Sequence, residues 1–191
     1  MNRDQLSQVL WALGAVLQRR QRRHELVAAG GGGLMLLGAI QRPTRDLDVL
    51  ALVEAGHYRK ARPLPSDLLE ASRDVGEAFG IGGDWLNPGP TDLLDLGLPA
   101  GFEERVETRS YGALHLRLAS RLDQICFKLY ASADQGPASK HVADLRQLRP
   151  TREELLFAGR WARTHDPSPG FRNELIQALE FLGVENADAE L

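Results

Sequence analysis

Apolar side chains recur at helical spacing near both ends of the chain. The spacing predicts a first helix from about Asp4 to Arg20, with an apolar stripe made of Leu6, Val9, Leu10, Leu13, Val16 and Leu17. Beyond residue 119 the pattern is helical almost throughout, and its first stripe consists of Leu122, Ile125, Cys126, Leu129 and Tyr130. In this region Pro137 is expected to open a helix, and Thr151 with Glu154 has capping-box spacing. The position of Cys126 in an apolar stripe predicts that its thiol is buried.

The middle of the chain has shorter apolar runs that are typical of strands. Glu25–Ala29 predicts a strand that leads into the glycine run Gly30–Gly33. Helical character resumes over Leu34–Ile40 and is expected to stop at Gly38–Pro43. Asp46–Leu52 alternates at first and then becomes apolar throughout, as internal strands do. The predicted order is therefore strand, glycines, helix and strand.

The region after this second strand predicts a helix, a long loop and a hairpin. Ser66 is expected to cap a helix over Asp67–Phe79, which ends in a glycine-rich segment. Asp84–Phe102 is rich in glycine and proline and is expected to be a long loop. Val106–Arg109 and Ala113–Leu118 have the pattern of two paired strands.

These elements predict an α+β protein, in which residues 1–119 form a mixed β-sheet flanked by helices and residues 120–191 form a helical part packed on that core. A chain of 191 residues buries enough surface to fold without metal or disulfides, and its single cysteine excludes an internal disulfide. The net charge of −3 argues against a dedicated duplex-DNA binder. The chain shows neither a membrane-length apolar run nor a signal-peptide pattern, so a cytoplasmic protein without membrane contact is expected.

The candidate chemistry begins with two carboxylates. Asp46 and Asp48 are two residues apart on a predicted strand, so both side chains are expected on one face of the sheet. Adjacent anions repel each other, and Mg²⁺ bound through carboxylates and substrate phosphate oxygens is their usual partner. Gly31 precedes Asp46 by 15 residues, in a run whose backbone N–H groups favour phosphate at a helix start. Arg42 and Arg45 precede the carboxylates in the sequence and flank the site, either as phosphate contacts or as part of a solvated turn.

The order of these motifs resembles the nucleotidyltransferase superfamily. Its members have Gly-Gly or Gly-Ser after an apolar residue, followed by Asp-x-Asp or Asp-x-Glu on the next strand. Residues 28–38 and 42–49 resemble this signature, and the Arg-x-Thr-x-Asp-x-Asp form of Arg42–Asp48 is similar to a minimal bacterial branch that includes abortive-infection toxins. Lys128–Ala131 and Lys140–Leu145 resemble two lysine-bearing helices of the same branch.

The resemblance implies Mg²⁺-dependent transfer of a nucleoside monophosphate from a nucleoside triphosphate to an acceptor, such as an RNA, a protein or a small molecule. It implies that Gly30 and Gly31 hold the triphosphate and that Asp46 and Asp48 bind the metal and act in catalysis. Nucleotide-binding roles are expected for a further set of polar residues, namely Arg42, Thr44, Arg45, Lys128 and Lys140. A toxin–antitoxin or defence setting would add a cognate partner protein.

Active members of the superfamily usually have a third carboxylate on a later strand, and this chain departs from that pattern. Leu114–Leu118, the strand where it is expected, presents His115 and Arg117 instead. His115 is then a candidate general base, unless a loop carboxylate folds back to the site from among Asp84, Asp92 and Asp95. The alternative is a non-catalytic nucleotide- or RNA-binding relative, or a subunit of a complex, and the sequence leaves both classes open.

The second lysine-bearing segment also predicts an ion pair. Asp144 lies four residues after Lys140, a spacing that places both side chains on one face of a helix. The expectation is an ordinary ion pair on the surface.

Overall fold

The computed structural model describes residues 1–136 and 139–191. Its helices are α1 Arg3–Arg19, α2 Gly30–Leu37, α3 Ser66–Ala78, α4 Phe102–Arg105, α5 Arg121–Gln135, α6 Lys140–Leu148, α7 Arg152–His165, α8 Pro169–Phe181 and α9 Ala187–Glu190. Its strands are β1 His24–Ala29, β2 Leu47–Glu54, β3 His57–Arg59, β4 Leu86–Asn87, β5 Glu107–Tyr111 and β6 Leu114–Leu118, and a 3-10 helix spans Gly89–Leu96. No helix in the described ranges has the length and apolar character that crossing a membrane requires.

The strands form one mixed sheet. Its order is β3-β2-β1-β6-β5, and β4 pairs with the first residues of β2. The central strand β1 is antiparallel to β2 and parallel to β6, whereas β5 and β6 form the predicted antiparallel hairpin. The prediction of an α+β protein with a mixed sheet flanked by helices is confirmed.

Helices α1 and α2 pack on the sheet around its central strand. Leu26 lies opposite Leu116 in the parallel ladder and both are fully buried, while α1 contacts β5 and β6 and α2 contacts β1 and β2. A Cβ atom on Gly14 would lie 1.6 Å from the carbonyl oxygen of Tyr111, so a glycine is needed where α1 approaches β5. The predicted apolar stripe of α1 thus reaches the core.

The chain divides into two compact units. The first contains the sheet and consists of residues 1–98 and 103–119, and the second consists of residues 99–102 and 120–191. The short segment Pro99–Phe102 belongs to the second unit, although the sequence assigns it to the first. Within the second unit α5 contacts α6, α7 and α8, and Cys126 is buried as predicted. The capping box of Thr151 and Glu154 is also present at the start of α7.

Some local predictions are wrong, mainly at glycines and prolines. Helix α2 begins at Gly30 instead of Leu34, so the glycine run forms its first turn. The predicted stop at Gly38–Pro43 is confirmed, because the helix ends at Leu37 and Gly38 adopts a left-handed conformation with φ of 77°. Ser66 is the first residue of α3 instead of its cap, and Pro65 holds the N-cap position. Pro137, the predicted helix opening, lies outside the described residues, and α6 begins at Lys140.

The region predicted as a long loop contains regular structure. Strand β4 and the 3-10 helix lie within Asp84–Phe102, and α4 begins at its last residue. Strand β3 was likewise not predicted. Both strands have three residues or fewer, which is too short for an alternating pattern to be visible.

Candidate functional site

The glycine run forms the start of α2, directly after the central strand. Gly30 has a left-handed conformation with φ of 66°. Ala29 holds the N-cap position and makes no side-chain hydrogen bond to the first turn, so that turn lacks the usual N-cap side chain. A helix start of this kind carries partial positive charge and favours an anion.

The carboxylate of Asp48 lies against this helix start. Asp48 pairs with Ala29 across the β1–β2 ladder, just beyond a bulge at which β2 has Leu50 as an extra residue. A Cβ atom built on Gly30 would lie 1.8 Å from Oδ2 of Asp48 and 2.7 Å from its Cγ. The acidic group that lies over the first glycine is thus next to the bulge. Bulges are common beside functional sites because they redirect side chains.

Asp46 precedes the strand instead of belonging to it, because β2 begins at Leu47. The carbonyl oxygen of Asp46 would lie 3.0 Å from a Cβ atom on Gly32, so the backbone of Asp46 also borders the glycine run. Thr44 is buried and donates its hydroxyl to that carbonyl oxygen at 3.0 Å, with Oδ1 of Asp46 at 3.4 Å. Thr44 thus stabilises the turn that brings Asp46 to the glycines.

The two predicted arginines differ in position. Nη2 of Arg42 lies 3.1 Å from the place of a Cβ atom on Gly31, so its guanidinium group stands over the second glycine. Arg45 is exposed. A cationic and an anionic side chain therefore face neighbouring glycines, an arrangement that suits a phosphate held by the guanidinium and by a metal ion on the carboxylate.

The donor set fits Mg²⁺ when that ion is shared with phosphate. Carboxylate oxygens are the ligands that Mg²⁺ prefers, and one or two of them with substrate phosphates are the usual number. Within residues 1–136 and 139–191 no group of three or more His, Cys, Asp or Glu side chains forms a metal site. The carboxylates therefore suit a metal ion that binds together with a polyphosphate.

Sequence reasoning missed Asn87, which contacts Asp48. Asn87 lies opposite Asp48 in the parallel β2–β4 pairing, and its Nδ2 donates to Oδ1 of Asp48 at 3.0 Å. The signal that could have indicated it is the Asn-Pro-Gly turn of residues 87–89, which directly follows two apolar residues. Strand β4 is too short to give any other signal.

The residues considered for the place of a third carboxylate have other contacts. Nδ1 of His115 lies 2.9 Å from Oγ of Ser110 on the neighbouring strand. Asp92 and Asp95 contact Nζ of Lys60 at 3.2 Å and 2.6 Å. Asp84 borders an open groove of about 500 Å³, whose other lining residues include Leu64, Leu69, Arg73, Leu86 and Asn87. A catalytic role for His115 stays a prediction.

The second unit places the two predicted lysines in different environments. Nζ of Lys128 donates to Oδ2 of Asp144 at 2.6 Å, and both side chains are buried, with exposed fractions of 7% and 1%. The expected surface ion pair of Asp144 is therefore wrong, because this carboxylate is buried within the helical unit and accepts from Lys128 on α5. Lys140 is exposed at the first position of α6. The phosphate roles of both lysines stay predictions.

Arg117 lies on β6, the strand where a third carboxylate is expected, and it is the centre of an ion-pair network. Its Nε donates to Glu25 at 2.6 Å, a second guanidinium nitrogen donates to Glu103, and its Cζ lies 5.8 Å from the ring centre of Tyr58. The hydrogen bond to Glu25 raises the pKa of Arg117 above its ordinary value. Burial, followed by the hydrogen bond that the Tyr58 hydroxyl donates to Glu103, raises the pKa of Tyr58 to about 12.

We expect the stabilising contribution of Tyr58 to be lost as the pH rises from about 10 to about 12. An unfolded tyrosine titrates near 10, whereas Tyr58 in the folded chain titrates near 12, so the folded state holds this proton more tightly. The contribution to stability is complete below about pH 10 and is lost as the pH approaches the folded value. The thermal midpoints of the wild type and of Tyr58→Phe, measured across this pH range, check the expectation. A difference in midpoint between the two proteins that does not change with pH would contradict it.

The fold and the site together define an α+β protein in which an acidic residue opposes a helix that starts with glycines. Comparison of the chain with protein-family models, with curated proteins and with solved structures gives no significant match. A function for this chain therefore rests on the chemistry of the site.

Proposed function

We propose that the chain has a nucleotidyltransferase-like fold and transfers a nucleoside monophosphate from a nucleoside triphosphate to an acceptor, with Mg²⁺ as cofactor. The observation that carries the proposal is the carboxylate of Asp48 against Gly30, beside the guanidinium group of Arg42 over Gly31. The order of glycine run and Asp-x-Asp in the sequence supports the same function. An RNA or a protein is the proposed acceptor, and a cognate partner protein belongs to the same proposal.

The electrostatics of the helix start explain why a divalent cation belongs there. The first turn of α2 favours an anion, yet the carboxylate of Asp48 would repel a triphosphate that approached the same point. A divalent cation held by Asp48 would neutralise this repulsion. Arg42 adds a fixed positive charge on the side of Gly31.

The reaction forms a bond from an acceptor hydroxyl oxygen to the α-phosphorus and breaks the bond from that phosphorus to the bridging oxygen of pyrophosphate. The hydroxyl proton passes to a general base or to water. Bound Mg²⁺ supplies neutralisation of the phosphate charge that develops during the transfer. Asp46 and Asp48 would hold the ion, and the backbone N–H groups at Gly30 and Gly31 would orient the triphosphate.

We expect the double variant Asp46→Asn, Asp48→Asn to bind triphosphate with Mg²⁺ more than about 100-fold more weakly. Mutation of a residue that only supports a metal ligand already lowers metal affinity by about 10–100-fold, and here the ligands themselves are changed. The thermal midpoint of the double variant should stay near that of the wild type, because an asparagine side chain at position 48 still offers an oxygen that can accept the hydrogen bond from Asn87. Calorimetric titration with each of the four ribonucleoside triphosphates, with and without Mg²⁺, measures the binding.

The matched control is the double variant Asp92→Asn, Asp95→Asn, which removes the same charge from the cluster around Lys60. This control should keep the full Mg²⁺-dependent binding. A comparable loss in the control would move the metal site to the loop, and unfolding of Asp46→Asn, Asp48→Asn would show that the pair is structural.

The second candidate function is non-catalytic nucleotide or RNA binding, and the amide of Asn87 favours it. This group stands beside Asp48 and is neutral, so it supplies neither a third charge for the metal nor a base for the acceptor. Incubation of the protein with labelled triphosphate, Mg²⁺ and total RNA or lysate separates the two functions. Label transfer to an acceptor supports the transferase, and retention of nucleotide without transfer supports the binding protein.

A further inference from the structure

We infer that Asn87 is a positioning residue, which holds the carboxylate of Asp48 so that Oδ2 faces Gly30 and receives the cation. Nδ2 of Asn87 donates to Oδ1 of Asp48 at 3.0 Å, and this bond leaves Oδ2 as the oxygen over the first glycine. The consequence for cation binding rests on the proposed function, whereas the contact between the two side chains does not.

The orientation of the Asn87 amide follows from its second hydrogen bond. The backbone N–H of Gly89 donates to Oδ1 of Asn87 at 3.0 Å, and an N–H group can only meet the oxygen end of an amide. The nitrogen end must then face Asp48, where a carboxylate accepts. A carboxylate that receives such a charge-assisted hydrogen bond on one oxygen is held in one rotamer.

The backbone beneath Asn87 is itself fixed. Strand β4 pairs with β2 through Leu47 and Leu86, and the Leu47 N–H donates to the Trp85 carbonyl at 2.7 Å. The indole of Trp85 is buried and donates Nε1 to the carbonyl oxygen of Ser72 on α3 at 2.8 Å. Asn87 therefore approaches Asp48 from a strand that is attached both to β2 and to α3.

This placement gives Asn87 the position of a third site residue with no charge of its own. In the proposed function the carboxylates of Asp46 and Asp48 bind a divalent ion weakly in the absence of a polyphosphate and more strongly when a polyphosphate is also bound. Asn87→Ala should weaken the binding of Mn²⁺ with inorganic triphosphate by about 10–100-fold, as loss of a residue that orients a metal ligand does. Asn87→Asp should strengthen the binding of Mn²⁺ alone by at least about tenfold, because the substitution adds a carboxylate beside Asp48.

Electron paramagnetic resonance of free Mn²⁺ measures both effects in the full chain, with thermal unfolding to establish the folded fraction. Asn173→Ala and Asn173→Asp are the matched controls, because Asn173 is exposed on α8 and these changes should leave Mn²⁺ binding as in the wild type. A purely structural role would lower the thermal midpoint of Asn87→Ala and leave the Mn²⁺ affinity of the folded protein unchanged. That result would overturn the inference.

A second readout tests the contact without any metal. The side-chain amide signal of Asn87 in a nitrogen–proton correlation spectrum is identified as the one that Asn87→Ala removes. We expect Asp48→Asn to displace this signal and Asp92→Asn to leave it in place. If the wild type binds no Mn²⁺ with triphosphate, the proposed function fails, and a displaced signal still supports the positioning of Asp48. An Asn87 amide signal that does not shift in Asp48→Asn would overturn the inference.

Discussion

Gly30→Ala is expected to destabilise the protein and to lose Mg²⁺-dependent triphosphate binding. A left-handed conformation costs an alanine about 1–2 kcal/mol, and Gly30 has φ of 66°. The new Cβ atom would also lie 1.8 Å from Oδ2 and 2.9 Å from Cβ of Asp48, so rotation of the carboxylate alone cannot relieve the overlap. Overpacking of this kind adds about 1–3 kcal/mol, and the displaced carboxylate no longer meets the helix start.

Gly80→Ala is the matched control because Gly80 has the same φ of 66° and no neighbouring atom within 4 Å of a Cβ. Both variants have the same change in the unfolded chain, so the difference between them reports the contact with Asp48. Denaturant unfolding and calorimetric titration with Mg²⁺ and triphosphate should show a loss of binding only in Gly30→Ala. Equal stability and equal binding in the two variants would disprove the close approach of Asp48 to Gly30.

The elements that could be predicted from the sequence are those in which a pattern repeats. Helix α1 shows five buried apolar residues at helical spacing, and β2 shows an uninterrupted apolar run, so both were predicted within a few residues. Strand β4 has only two residues, and no periodicity exists over such a length. The residue that contacts Asp48 lies on this strand, and so the sequence indicated the glycine run and the carboxylates but not Asn87.

The details of the site that escaped prediction depend on pairing between distant segments. Spacing in the sequence predicts that Asp46 and Asp48 share a strand, whereas the start of β2 is set by where β1 and β4 offer hydrogen-bond partners. The bulge at Leu50 is likewise a property of the β1–β2 register. In the second unit, local spacing favours a pair between Lys140 and Asp144, yet the observed partner of Asp144 is Lys128, 16 residues away on α5.

Lys128→Met is expected to destabilise the helical unit by about 3–5 kcal/mol, the typical cost of removing one member of a buried ion pair. Asp144 is fully buried, and in this variant its carboxylate loses the ammonium group that lies 2.6 Å away. Denaturant unfolding, followed by the circular dichroism of the helices, measures the change. The matched control is Lys140→Met, which removes the same charge from an exposed position and should change the stability by less than about 0.5 kcal/mol.

The double variant Lys128→Met, Asp144→Leu should recover most of this loss, because two apolar side chains of similar volume can replace a buried ion pair at little or no cost. Recovery would identify the pair as a structural link between α5 and α6. In such a link each buried charge is needed because it neutralises the other. It would remove Lys128 from the residues expected to bind phosphate, since an ammonium group committed to a buried carboxylate is not available to a ligand. A single variant Lys128→Met that is as stable as Lys140→Met would contradict the buried pair and return Lys128 to that role.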